Sequence, residues 1–186
     1  TDSVLQGLLL PALAQFMPNY PALAIELSTS NVFANLSRRD ADIALRLTRT
    51  PPAHLVGRCL GAVAYQVCAS PTYAHQHAAR SLADLAWIAP DDFLPDHPTV
   101  TWRREHLPGV RPSYRCNSML SVTELVRAGL GVAALPDFLM GEGLQPLGPA
   151  LAGHDTALWL LTRPDCRALR SVVTLFDELG RHVRLP

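Results

Sequence analysis

Apolar positions recur through the first nineteen residues at spacings of three and four: Leu5, Leu9, Leu13 and Phe16. That period lays one apolar stripe along a helix, so residues 3–19 predict an amphipathic helix. Pro11 lacks an N–H and its ring crowds the preceding turn, so it should begin or kink a helical segment. The period then drops to two. In "ALAIELS" (22–28), Leu23, Ile25 and Leu27 fall on one side, which predicts a strand. "TSNVFANLSRRD" predicts a short helix and "ADIALRL" a second strand. "HLVGRCL" and "AVAYQVCAS" predict two more, joined by a turn at Gly61.

Residues 71–113 are rich in Pro, Asp and His and show little period, apart from a short helix at "SLADLA" and a strand near Trp87–Ala89. Beyond them, "SYRCNSMLSVTELVRAG" predicts a strand and then a helix with Leu120, Val122, Leu125, Val126 and Ala128 gathered on one side. "VAAL" predicts a strand, "PDFLM" a helical turn, "DTALWLLT" a strand and "CRALRSVVTLFDELGRHV" a closing amphipathic helix. Strands alternating with helices argue for an α/β fold with substantially parallel pairing.

One stretch tests that pattern. In "RAGLGVAALPDFLM" (127–140), Gly129, Gly131 and Ala134 match the spacing of a dinucleotide-binding loop. Such a loop needs strand, glycines, helix, so that a phosphate meets a helix N-terminus. Here the order is helix, glycines, strand. Gly129 is therefore expected as a left-handed helix stop.

Composition narrows the function classes. The 186 residues are 48% hydrophobic, enough for a sizeable core, and carry no net formal charge. All 16 basic residues are arginine. A balanced charge speaks against direct DNA or RNA binding by these residues. Cys59, Cys68, Cys116 and Cys166 are too far apart for a zinc pattern, and reduced core thiols in a cytoplasmic protein are expected. No apolar run is long enough to span a membrane. The chain starts at Thr1 with no basic-then-apolar leader, so it reads as a piece of something longer.

The candidate chemistry lies in a pattern that recurs three times. "TDS" (1–3), "STSN" (28–31) and "NS" (117–118) each put a Ser, Thr or Asn where a helix begins. Such residues cap free backbone N–H groups. Together, three positive helix ends bearing hydroxyls would seat a carboxylate or similar small anion. His75 and His77 form an H-x-H without a third ligand at suitable spacing, so neither a metal nor a cofactor is expected. Asp91, Asp92 and Asp96 in "PDDFLPDHP" read as turn residues rather than a catalytic pair. No G-x-S-x-G elbow occurs, and the chain gives no positive sign of catalysis.

"LLLPALAQFMPNYPALAIELS", "RRDADIALRL", "RAGLGVAALPDFL" and "LWLLTRPDCRALRSVVTLFDEL", in that order, resemble the effector-binding domain of LysR-type transcriptional regulators along nearly the whole chain. The resemblance implies a type 2 periplasmic-binding-protein fold, with two α/β lobes joined by two crossover strands and a ligand cleft between them. Lobe I would be residues 1–65 plus 161–186 and lobe II 66–160, with "AVAYQVCAS" and "DTALWLLT" as the crossovers. Effector contacts would come from Ser3 and Thr1, from Thr29 and Ser30, and from Asn117 and Ser118, with Phe93 and Pro136 in the pocket wall. The resemblance further implies a homodimer through this domain, with a tetramer open to the full-length protein. DNA would be read only by an N-terminal winged helix-turn-helix absent from this chain. The family's strand before "TDS" is also absent, and its usual His-Pro-Asp is Arg163-Pro164-Asp165 here. A secreted solute-binding protein of the same fold is the alternative.

Overall fold

The computed structural model describes residues 1–30, 41–92 and 95–186. The chain divides into two compact units. One comprises Thr1–Val63 with Thr156–Pro186, the other Ala64–Asp155.

The first unit begins with a helical run in four pieces: α1 (Asp2–Val4), a π-helical turn (Leu5–Leu9), α2 (Leu10–Phe16) and a 3₁₀ turn (Met17–Asn19). Pro11 explains the wide turn. Its missing N–H leaves an upstream carbonyl without the usual acceptor role, and the backbone expands just before it. The expansion also moves the apolar stripe. Val4, Leu8, Ala12, Leu13 and Phe16 are buried, whereas Leu5 and Leu9 are only part-buried.

Residues 22–28 correct the expectation of a strand. Their exposure alternates as far as Ile25, but they form no ladder among the described residues, and Leu27 is 45% exposed. Side-chain alternation needs only an extended backbone; a strand needs a partner for its N–H and C=O groups. The helix expected after it, over residues 31–40, lies outside the described residues.

Strands β1 (Ile43–Thr48), β2 (Val56–Val63) and β8 (Thr156–Thr162) form a sheet in the order β1-β8-β2, antiparallel throughout. Gly61 is not the turn the sequence suggested. Strand β2 runs through it as a bulge: Cys59 faces Trp159 and Gly61 faces Leu158, which leaves Leu60 as the extra residue. Gly61 has φ 151°, and a Cβ there would meet Leu185 Cδ1 at 2.8 Å. The closing helix also starts later than expected. A 3₁₀ turn (Pro164–Ala168) precedes α6 (Arg170–His182). Helix α6 packs on α2, with the Phe16 and His182 rings 5.5 Å apart and the Tyr20 hydroxyl donating to Glu178 Oε1 at 3.1 Å. Arg58, from β2, crosses α6 and donates to the carbonyls of Phe176 (3.1 Å) and Asp177 (3.4 Å). Its guanidinium occupies the space where Gly180 has no side chain, since a Cβ there would lie 1.0 Å from Arg58 Nη2.

The second unit holds β3 (Tyr65–Ala69), β4 (Ile88–Pro90), β5 (Tyr114–Cys116), β6 (Ala133–Pro136) and β7 (Gln145–Pro146). Strand β3 lies between β6 and β7, antiparallel to both. Among the described residues only β4 and β5, with a Trp87–Val132 bridge, pair in parallel. The expectation of mostly parallel pairing is thus corrected for the described strands. Chain order fixes the alternation of elements, but direction depends on which strands become neighbours.

Among the described residues this unit has three α-helices: α3 (Pro71–Gln76), α4 (Pro98–His106) and α5 (Met119–Arg127). Helices α3 and α4 fall in the stretch that read as irregular. Helix α5 buries Met119, Val122 and Val126 against Cys68, Ile88, Ala133 and Leu135, which form the core of the unit. It ends as the glycine pattern requires. Gly129 has φ 77°, its N–H bonds Val126 C=O at 2.9 Å, and Leu130 N–H reaches Leu125 C=O at 3.2 Å. That pair of bonds is a Schellman stop, and β6 follows it.

All four cysteines are unbridged. Cys68 and Cys166 are buried and Cys116 part-buried, but Cys59 is exposed, so the expectation of core thiols fails there.

Candidate functional site

The first helical run opens at Thr1 and Ser3. Thr1 occupies the N-cap position but makes no side-chain cap; its hydroxyl lies 3.1 Å from that of Ser3, which is buried. The capping expectation therefore fails for Thr1, whose Oγ1 is turned to a hydroxyl pair. The Ser3 N–H instead donates to Asp2 Oδ1 at 2.7 Å. A carboxylate thus already stands at this positive helix end and takes up part of its capacity for an anion.

Thr29 and Ser30 are both exposed, in chain without regular structure. The helix they should open lies outside the described residues, as does Phe93.

In the second unit the pattern is met fully. Ser118 caps α5, its Oγ accepting from Ser121 N–H at 3.2 Å, and Val122 N–H makes the first intrahelical bond to Ser118 C=O at 3.1 Å. By helix geometry, the amides of Met119 and Leu120 then have no intrahelical acceptor. Asn117 precedes the cap and is exposed. It directly follows β5, whose Cys116 carbonyl accepts from Asp91 N–H at 2.8 Å. The cap therefore sits at the carboxyl end of a parallel strand pair, where ligands bind in open α/β sheets.

Pro136 ends β6 and is buried opposite Tyr65, itself 1% exposed. The Tyr65 ring meets the His97 imidazole edge-on at 5.7 Å. His97 is the N-cap of α4. Its Nδ1 accepts from Thr99 N–H at 3.4 Å and lies 2.8 Å from Thr99 Oγ1. Burial pushes the His97 pKa down to about 4, and a positive helix end beside the ring favours the same neutral form. Pro136, Tyr65 and His97 thus form one contact chain, of which the sequence had suggested Pro136 alone. The usable signal was the pair His97-Pro98, a cap followed by proline at the first helical position; Ser70-Pro71 opens α3 in the same way, with Ser70 Oγ accepting from Tyr73 N–H at 3.3 Å.

Of the remaining candidates, Asp92 and His77 have structural partners. Asp92 pairs with Arg115. His77 stacks on Tyr73 at 4.1 Å, with Nδ1 3.0 Å from the Tyr73 carbonyl. Arg163 pairs with Asp165 at 3.1 Å and donates to Ala41 C=O at 3.0 Å. Among the described residues no helix is long and apolar enough to cross a membrane.

Comparison with known proteins places this arrangement. The LysR substrate binding domain family matches residues 1–184. The Mau operon transcriptional activator of Paracoccus denitrificans is 28% identical over 170 residues, which are 89% of this chain and 57% of that protein. The HTH-type transcriptional regulator CrgA of Neisseria meningitidis is 30% identical over 142 residues, 74% of this chain and 48% of that protein. The chain thus spans about half the length of these curated relatives. The solved regulatory domain of CrgA superposes with a TM-score of 0.80 at 25% identity, covering 97% of this chain and 94% of that domain. The effector domain of AmpR from Pseudomonas aeruginosa has the same fold, with a TM-score of 0.73 at 20% identity over 96% of this chain and 90% of that domain.

Proposed function

From the premise that this chain belongs to the LysR family of transcriptional regulators, as its substrate-binding domain, we propose that it senses a small anion and passes the signal to DNA-binding segments outside the chain. The observation that carries this reading is the match to the family over residues 1–184, together with the likeness to the CrgA regulatory domain. The relatives are named as regulators, which favours this reading over a secreted solute-binding protein or an enzyme.

In this proposal residues 1–65 with 161–186 serve as lobe I and residues 66–160 as lobe II, bounds a few residues away from those of the two compact units. Ser3 and Thr1, with Thr29 and Ser30, contribute contacts from lobe I. Asn117 and Ser118 contribute them from lobe II, with Phe93 and Pro136 as wall. The capped start of α5 supports the lobe II half, because its unpaired amides favour negative oxygen atoms. The anion acts only by its difference in affinity for two states of the regulator. The full-length protein works as a cytoplasmic homodimer, or a tetramer of such dimers' subunits, and binds DNA through a winged helix-turn-helix.

Calorimetry with a panel of small carboxylates tests the site. A bound carboxylate should lose affinity in Asn117→Ala and in Thr29→Ala, with the domain still folded. Unchanged affinity in both variants refutes the assignment.

A further inference from the structure

Helix α4, the loop after it and strand β5 bring four arginines to one depression on the second unit. The depression measures about 270 Å³ and is lined by Arg103, Arg104, Arg111 and Arg115, with Asp91, Asp92 and apolar Val100 and prolines. Four positive charges face two negative ones. Asp92 is paired with Arg115. Arg103 Nη1 donates to the Val110 carbonyl at 2.7 Å and Arg104 Nη1 to the Pro95 carbonyl at 3.3 Å. Those acceptors hold the side chains in place but do not cancel their charge.

Donors are left over. Arg103 Nε is buried without a hydrogen-bond partner. Burial, with the charges of Arg104 and Arg115, lowers the Arg103 pKa, as expected where cations gather without enough counter-charge. Arg111 makes no hydrogen bond or ion pair among the described residues. A fold that gathers like charges gives up stability unless an anion joins them. Guanidinium groups present paired N–H donors that match the oxygens of a phosphate or carboxylate. The volume lies below the roughly 300–1,000 Å³ of pockets for drug-sized ligands, which favours a small ion over a nucleotide.

We propose that the depression lined by Arg103, Arg104, Arg111 and Arg115 is a second anion site, taking inorganic phosphate or the phosphate head of a small ester. It uses none of Ser3, Thr29, Asn117 or Ser118, although Asp92 and Arg115 in its lining stand close in the chain to Phe93 and Asn117. Arg111, Arg104 and the free edge of Arg103 provide the donors. Asp92 acts as an internal competitor that occupies Arg115.

The test uses this chain at low ionic strength in chloride buffer, titrated with sodium phosphate and separately with glycerol 3-phosphate. Calorimetry gives affinity, and arginine Nε–Hε resonances report which side chains respond. We expect saturable binding with shifts at Arg103 and Arg111. Tighter binding of glycerol 3-phosphate identifies an ester as the source, and equal or weaker binding identifies free phosphate. Arg111→Gln should weaken binding about tenfold, the loss of one charge-assisted contact. Asp92→Asn should strengthen it several-fold by releasing Arg115. Arg80→Gln, an exposed arginine outside the lining, should change nothing. The proposal is overturned if neither phosphate compound gives a saturable response, or if Arg80→Gln weakens binding as much as Arg111→Gln.

Discussion

Arg58 and the four arginines around α4 show two uses of one residue type. Arg58 is built in. Two α6 carbonyls accept from it, the Phe176 ring centroid lies 5.5 Å from its Cζ, and a glycine leaves room for its head. Arg103, Arg104, Arg111 and Arg115 instead rim an open space with too few acceptors. In the first place the fold fills the space around the guanidinium, although Arg58 Nε, like Arg103 Nε, is buried without a hydrogen-bond partner; in the second it leaves a space beside four guanidinium groups. What separates the two is whether the space beside the guanidinium is filled and whether like charges gather there, since the residue type is the same.

Substitutions can break or sharpen this contrast. The largest effect should come from Arg58→Ala, which removes charge-assisted bonds and packing over α6 and should lower stability by about 2 kcal/mol in denaturant unfolding. Next comes a site that refuses positive charge. The His97 pKa is lowered from 6.5 to about 4 by burial. The unfolded chain therefore binds the proton more readily, and stability is lost as pH falls from about 6.5 towards 4. Replacing His97 with Asn keeps a helix cap and should flatten that part of a stability–pH curve; an unchanged slope would show that other groups cause it. A smaller effect with a change of sign is expected at Gly180. In the native background Gly180→Ala displaces the Arg58 head and should cost about 1 kcal/mol. With Arg58 already Ala, the same change should stabilise by about 1 kcal/mol through helix propensity. Thermal unfolding of the four proteins in that cycle decides it. The smallest effect should be Arg111→Gln, within about 0.5 kcal/mol of the parent. A large loss there would mean that the α4 arginines are structural like Arg58, and the contrast would fail.

Much of this molecule was legible in order of sequence. Strands β1 and β8, helix α5 and the Gly129 stop follow from local period and backbone chemistry, and they appear where expected. Helices α3 and α4 were missed because they lack an apolar stripe. Helix α4 buries only Thr99 and Val100, and its proline stands at the helix start, in a stretch rich in prolines. The bulge at Gly61, the unpaired stretch 22–28 and the antiparallel sheets depend on neighbours distant in sequence, which no local pattern carries. The site divides the same way. Ser118 was legible as a cap, whereas the contact of Tyr65 with His97 spans 32 positions of chain and becomes visible only once both are folded. The arginine depression was hidden in plain composition, because a balanced total charge says nothing about where each sign gathers.

The wide turn at Leu5–Leu9 means that the opening helical rod contains one more amino acid than its length requires. Shortening the chain by one residue there would tighten the coil to an ordinary pitch, so a deletion that would derail most helices is one this rod has slack to absorb.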